Sequence, residues 1–199
     1  MLITFEGGEG AGKTTLIASL VKELEKRGKK VVITREPGST ELGEMIRTRV
    51  LLSKGKISPM AELLLFLAAR AEHLKQVIEP ALHDGIIVLC DRFNDSSIAY
   101  QGEARGLGFD TVRSLCLLAT GQITPHLTFL LDLDPEKGMK RLVRGKDRIE
   151  SEGMSFHQNV RKAFLKIARQ EPERVVILDA SQEPDVVLQE AIKHVDRKL

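Results

Sequence analysis

Eight consecutive residues, Gly7-Gly8-Glu9-Gly10-Ala11-Gly12-Lys13-Thr14, satisfy the spacing G-x-x-x-x-G-K-[ST]. Each residue type in it has a chemical reason. A polyphosphate must be surrounded by backbone N–H groups, and side chains would block that approach, hence glycine. A helix starting near Lys13 aims its positive dipole end at the anion. Lys13 supplies a point charge for β- and γ-phosphates, and the Thr14 hydroxyl can ligate Mg²⁺; Thr15 falls on the same nucleotide side. The pattern specifies ATP or GTP binding without naming a reaction. A GTPase should add a D-x-x-G switch after its third strand and an N-K-x-D base-reading motif, and neither is found.

A second set of residues indicates a second anion. Thr34-Arg35-Glu36-Pro37-Gly38 and Asp91-Arg92 each follow a short apolar run. Two guanidinium groups beside a phosphate loop suit phosphoryl transfer between two anions. A phosphate monoester acceptor is already largely ionised at neutral pH, since its second pKa is about 6, so no strong general base is required. The obstacle is repulsion: two like charges about 4 Å apart at an effective dielectric near 20 oppose each other by roughly 4 kcal/mol. Arg35 and Arg92 are read as a clamp on the acceptor phosphate, with Lys13 and Mg²⁺ on the donor. Asp91 suits the carboxylate that holds Mg²⁺ or its waters. Phe66 and Arg70 stand four apart on a helical pattern, hence on one face. By spacing alone they are a core phenylalanine and a surface arginine as readily as a pair that stacks on a base and bonds its edge.

These groups need elements to hold them. Apolar runs at 2–5, 30–34, 86–90, 127–131 and 175–178 are rich in Val, Ile and Leu and too short for helices, as expected of parallel strands covered on both faces. Helical patterns at 14–27, 60–82, 109–119, 135–144, 154–168 and 183–197 separate them. The alternation predicts one α/β domain over 1–199, a five-stranded parallel sheet flanked by helices, with ligands beyond the carboxyl ends of the strands. The charged stretch 144–153 is bounded by glycines. Alone it is a solvated loop; beside an ATP site it is a phosphate-covering lid of approximately 141–153.

Composition narrows the class further. Of 199 residues, 42% are hydrophobic and 29% charged, and the net charge of +2 offers no basic tail for nucleic acid and no membrane-surface patch. No stretch approaches the roughly 18 apolar residues that span a bilayer, and no signal peptide opens the chain, so a cytoplasmic protein is expected. Cys90 and Cys116 lack disulfide or metal spacing. His73, His83, His126, His157 and His194 show no ligand spacing either and are assigned surface or helix roles.

Gly7 to Thr14, Thr34-Arg35-Glu36-Pro37-Gly38, Phe66-Leu67-Ala68-Ala69-Arg70, Asp91-Arg92 with Ser96 through Ala99-Tyr100-Gln101, and Asp147-Arg148-Ile149-Glu150 together resemble the bacterial thymidylate kinases, in order and over nearly the whole chain. The resemblance implies a P-loop NTPase fold, Mg²⁺-dependent transfer of the ATP γ-phosphate to dTMP, and a homodimer packed through helices. It implies that Glu9 contacts the sugar 3′-hydroxyl, that Arg35 and Arg92 bind the dTMP phosphate, and that Phe66 stacks on thymine. It further implies that Arg70 donates to a thymine carbonyl, that Ser97 reads the pyrimidine edge, and that Tyr100 lies against the 2′ position and disfavours ribose. Gly10 stands where some relatives carry an arginine, so a lid arginine should supply the transition-state cation: Arg148 first, Arg144 second, with Arg141 stacking on adenine. Asp179-Ala180-Ser181-Gln182 resembles the family's adenine-side loop. The competing readings are a kinase for UMP, CMP or AMP, and a nucleotide-dependent switch without catalysis.

Overall fold

A computed structural model describes residues 1–53, 55–142 and 147–199. Five parallel strands, β1 (Leu2–Glu6), β2 (Val31–Arg35), β3 (Ile87–Asp91), β4 (Leu127–Asp132) and β5 (Val175–Asp179), form one sheet in the order β2-β3-β1-β4-β5. The five apolar runs are therefore strands, with β2 one residue later than its hydrophobic run suggested.

Side chains alternate across a strand, so each strand feeds two cores. Ile3, Phe5, Ile87, Leu89, Leu127 and Phe129 pack against α1 (Lys13–Lys26) and α9 (Pro184–Asp196). The intervening positions face the opposite layer, where Leu2, Val88 and Cys90 meet Leu74, Ile78 and Phe93. That second face is partly polar: Thr4 and Thr128 share a hydrogen bond of 2.7 Å across β1 and β4. Glu6 is next in the Leu2-Thr4-Glu6 series, and this periodicity delivers its carboxylate to the loop after β3.

The second layer is helical. α2 (Glu41–Leu51), α3 (Pro59–His73), α6 (Phe109–Ala119) and α8 (Met154–Gln170) surround Ile46, Leu63, Phe66, Val112, Val160 and Phe164. The pattern at 60–82 is one helical path in three pieces: α3, a widened turn at Leu74–Ile78, and α4 (Glu79–His83). Pro80 has no N–H to give the Gln76 carbonyl, which accounts for the widening. The helix expected at 135–144 is shorter, α7 (Pro135–Lys140), because Arg141 and Leu142 donate to the carbonyls of Gly138 and Met139 and tighten the last turn. Two pieces were not foreseen: α2, and α5 (Asn94–Ser97) with its widened continuation Ile98–Ala104.

Register levels the strand ends. Phe5 and Arg35 both stand opposite Asp91, so the segments after β1, β2 and β3 leave the sheet side by side. This is where the site is assembled.

Candidate active site

The phosphate loop is fixed by close backbone approaches. Gly7 has φ 135°, and a β-carbon there would stand 2.5 Å from the Leu131 carbonyl oxygen. Lys13 is buried and its ammonium donates to the carbonyls of Gly7 (3.3 Å) and Gly8 (3.1 Å). Burial, then the nearby Arg92 charge, push the Lys13 ammonium below its ordinary pKa. Both effects favour an incoming anion. Arg141, just after α7, donates to Ala180 O (3.2 Å) and Gly10 O (3.4 Å), joining the phosphate loop to the loop after β5. The cavity between them is lined by Gly10 to Thr15, Arg35, Asp91, Arg141, Ser181 and Gln182.

Arg92 crosses from this cavity to a second one. Its backbone is in the left-handed region at φ 72°, unusual for a residue with a β-carbon. Its guanidinium donates to Gly7 O (3.0 Å), Ser96 Oγ (3.1 Å) and Glu9 Oε1 (2.6 Å), and lies 5.1 Å from the Tyr100 ring centre. The Tyr100 hydroxyl donates to the same Glu9 oxygen at 2.8 Å. Burial alone would raise the Glu9 pKa, but Arg92, Lys13 and the Tyr100 hydroxyl outweigh it and hold the carboxyl at about 2. Glu6 anchors this arrangement from below. It accepts from Phe93 N–H (2.7 Å) and Ser96 Oγ–H (2.5 Å), and Ser96 in turn accepts from Arg92. Burial and the neighbouring Asp95 charge push the Glu6 carboxyl upward, to about 8.

The second cavity is lined by Phe66, Arg70, Ser97, Tyr100, Gln101 and Arg47, with Glu9 and Arg92 at its border. Arg70 is a buried side chain, not a surface one. It donates to Glu36 (2.5 Å), Ser97 Oγ (3.0 Å) and Phe93 O (3.0 Å), with Cys116 Sγ at 3.5 Å. His73 corrects the expectation of a bland role for every histidine. It is 0% exposed, with Nδ1 on Glu36 and Nε2 on Thr34 Oγ1, and so braces the carboxylate that holds Arg70. Glu36, His73 and Cys90 converge closely enough to suggest a metal site. Their ligand atoms are already hydrogen-bonded, Glu36 and His73 to each other and Cys90 Sγ donating to Arg92 O, and the cation beside them is Arg70. His157 is also buried.

The donor set fits a hard divalent cation. Asp91 Oδ1 is buried and accepts no hydrogen bond among the described residues, and Thr14 lines the same cavity. A carboxylate oxygen left without a donor and a nearby hydroxyl are ligands of the kind Mg²⁺ takes, directly or through water.

Comparison with known proteins identifies the family. The family model described as thymidylate kinase matches residues 5–191. The chain belongs to the thymidylate kinase family. A thymidylate kinase of Protochlamydia amoebophila is 47% identical over 98% of this chain and 92% of its own length. One from Synechococcus sp. (strain JA-2-3B'a(2-13)) is 50% identical over 92% of this chain and 88% of its own. The crystal structure of thymidylate kinase from Ehrlichia chaffeensis superposes with a TM-score of 0.82 at 35% identity, covering 98% of both chains.

Most residues singled out in the sequence come together. Lys13, Thr14, Thr15, Arg35, Asp91 and Arg141 line the phosphate-loop cavity, and Phe66, Arg70, Ser97 and Tyr100 line the other. Arg35 sits at the rim, half exposed, with its guanidinium on Glu44 (3.1 Å). Arg148 lines neither cavity: it donates to Val50 O (2.9 Å) and pairs with Glu62. Arg144 lies outside the described residues. Arg47 was missed, because α2 gave no signal in the sequence. It lines both cavities, donates to Pro37 O (3.0 Å), and is opposed by burial and then by the Arg35 charge. Gln101 belongs to a quoted motif but had no role assigned; it lies in the second cavity.

Proposed function

We propose that residues 1–199 work as one catalytic unit that transfers the γ-phosphoryl group of ATP to dTMP, giving dTDP and ADP. The observation that carries this reading is the shared border of the two cavities: Glu9, Glu36, Arg47, Arg92 and Glu150 line both. Two nucleotides seated there would meet phosphate to phosphate across Arg92.

ATP lies along Gly7 to Thr15, its adenine toward Arg141 and the Ala180-Ser181-Gln182 loop. An oxygen of the dTMP phosphate attacks the γ-phosphorus, the bond to the β–γ bridging oxygen breaks, and ADP leaves with that electron pair. The acceptor is largely dianionic at neutral pH, so no proton need move first. Lys13, Arg35, Arg47 and Arg92 lower the repulsion between the anions and hold the reacting atoms in line. Mg²⁺, held by Thr14 and Asp91 directly or through water, would add charge neutralisation on the donor. Arg148 is spent on Glu62 and Val50 O, which leaves Arg144 as the lid arginine for the transition state.

On the nucleoside side, Phe66 stacks on thymine, Ser97 borders the pyrimidine edge, and Arg70 donates to a carbonyl. Four of the five N–H groups of Arg70 are taken by Glu36, Ser97, Cys116 and Phe93, so among the described residues one remains. The second oxygen of Glu9, which accepts no hydrogen bond among the described residues, is left for the 3′-hydroxyl. Tyr100, fixed by Glu9, places a ring edge against the 2′ position.

Met60, Leu64 and Leu65 on α3 and Leu118 on α6 are exposed apolar side chains on two helices that pack together, which supports a homodimer through that face. Among the described residues no helix is long and apolar enough to cross a membrane, and both free cysteines suit a reducing cytoplasm. The test is a panel of dTMP, dUMP, UMP, dCMP and AMP with ATP and Mg²⁺, scored by ADP release. dTMP should have the highest kcat/KM. A preference for UMP or AMP overturns the substrate, and ATP binding without turnover of any of them leaves a nucleotide-dependent switch.

A further inference from the structure

Glu62 has 0% exposure, yet its carboxylate meets three polar side chains, two from the stretch 98–105 and one from the turn that follows Asp147. Gln101 Nε2 donates to Oε1 at 2.7 Å, Arg105 Nε approaches the same oxygen at 3.4 Å, and Arg148 donates to Oε2. A fully buried carboxylate is costly unless paired, and two guanidinium groups provide the pairing. Arg105 is itself fixed, by Glu152 at 2.6 Å and by the Phe156 ring at 4.7 Å. The carboxylate therefore cannot swing away from Gln101.

A carboxamide has a donor end and an acceptor end, and either could face a ligand. Here the choice is forced, because a carboxylate only accepts and so claims the NH₂ end. Gln101 is left with Oε1, which accepts no hydrogen bond among the described residues, and Gln101 lines the cavity that also holds Phe66, Arg70 and Ser97. We propose that Glu62 is a specificity-positioning residue: by locking the Gln101 carboxamide it makes the nucleobase cavity present an acceptor, which selects a base with a ring N–H. Thymine and uracil carry that proton on N3. Cytosine has a lone pair there, which would face the Gln101 oxygen lone pair to lone pair. The inference rests on the dTMP reading above and adds a residue that cannot touch the nucleotide.

The experiment compares kcat/KM for dTMP and dCMP in the wild type, Glu62→Gln, Gln101→Met and the double variant. Both substrates are measured on the same preparation, so loss of folded protein cancels in the ratio. Residue 62 as an amide can accept or donate, which frees Gln101 to flip. The dTMP-to-dCMP ratio should fall about 10- to 100-fold in Glu62→Gln, mostly through KM for dTMP. Gln101→Met should show a similar fall, and the double variant no more than Gln101→Met alone. An unchanged ratio in Glu62→Gln overturns the proposal, as does a further fall when Glu62→Gln is added to Gln101→Met. Should Glu62→Gln fail to fold, Gln101→Met decides, since it leaves Glu62 its two arginines; an unchanged ratio there removes the acceptor. A wild type that does not prefer dTMP is seen before any variant is made, and overturns the substrate reading with this inference.

Discussion

Gly10 and Gly138 meet backbone to backbone. A β-carbon on Gly10 would run into the Gly138 carbonyl oxygen, and one on Gly138 would run into the carbonyl oxygen of Glu9. The phosphate loop is thereby seated against α7, whose last turn leads to Arg141. Gly10 also holds φ 67°, where a side chain is strained in any case. Gly138→Ala isolates the contact, because α7 tolerates alanine locally. Overpacking of this kind costs about 1–3 kcal/mol, and the phosphate loop is the part able to shift. KM for ATP should rise about tenfold or more, with KM for dTMP little changed. Equal KM for ATP in the two enzymes would show that α7 gives way instead.

Arg92 holds the shared border by three hydrogen bonds that diverge from one planar group. A lysine offers a single point of charge and cannot reach Gly7 O, Ser96 and Glu9 together. Arg92→Lys should lower kcat/KM for dTMP on the order of 10²–10³-fold, the range found when a fixed donor to a transition-state anion is lost. Steady-state kinetics with dTMP varied at saturating ATP measures this. A loss below about tenfold would mean that charge alone suffices.

The sheet was legible because five runs of Val, Ile and Leu can be satisfied only by burial on both faces. The phosphate loop was legible because its chemistry is local, within eight residues. α2 was not. It carries Gly43 and the β-branched Thr48 and Val50, buries only Gly43, Ile46 and Val50, and owes its start to Thr40 accepting from Gly43 N–H. With α2 unseen, Arg47 had no place. The segment after Asp91-Arg92 looks like a turn, since Asn94, Asp95, Ser96 and Ser97 are polar. They are buried because their partners lie far off in sequence: Asp95 on Arg174, Ser96 on Glu6, Ser97 on Arg70. The same holds for His73 with Glu36 and for Arg148 with Glu62. Pairings across 37 and 86 residues leave no periodicity to read.

Glu9 predicts a pH dependence. Its folded pKa of about 2 lies below the ordinary 4.5. A depressed carboxyl contributes stability that is fully present above the unfolded value and is lost as pH falls toward the folded one. Wild type should therefore exceed Glu9→Gln in stability at pH 6–7, by up to roughly 3 kcal/mol for a shift of this size. The gap should close progressively below pH 4.5. Urea denaturation at intervals from pH 7 to pH 3 tests it. A gap that stays constant over that range would assign the difference to packing and not to the charge held by Arg92.

Arg148 gives the sharpest division between a structural and a chemical role. Its Nε donates to Val50 O, its backbone N–H donates to Leu51 O (3.0 Å), and its guanidinium pairs with buried Glu62. These contacts tie the turn at Asp147–Ser151 to α2 and α3, and Asp147, Ile149 and Glu150 from that turn line the nucleoside cavity. Arg148→Ala leaves Val50 O short of a donor and Glu62 with Arg105 as its remaining cation, a loss of about 1–3 kcal/mol. The cavity wall loosens, so KM for dTMP should rise roughly fivefold while kcat stays within about threefold, the pattern of lost binding common to ground and transition states. Thermal melts and a dTMP titration read both. A hundredfold fall in kcat with an unchanged melting temperature would instead carry Arg148 out of its Glu62 pairing and onto the transferring phosphoryl group during turnover.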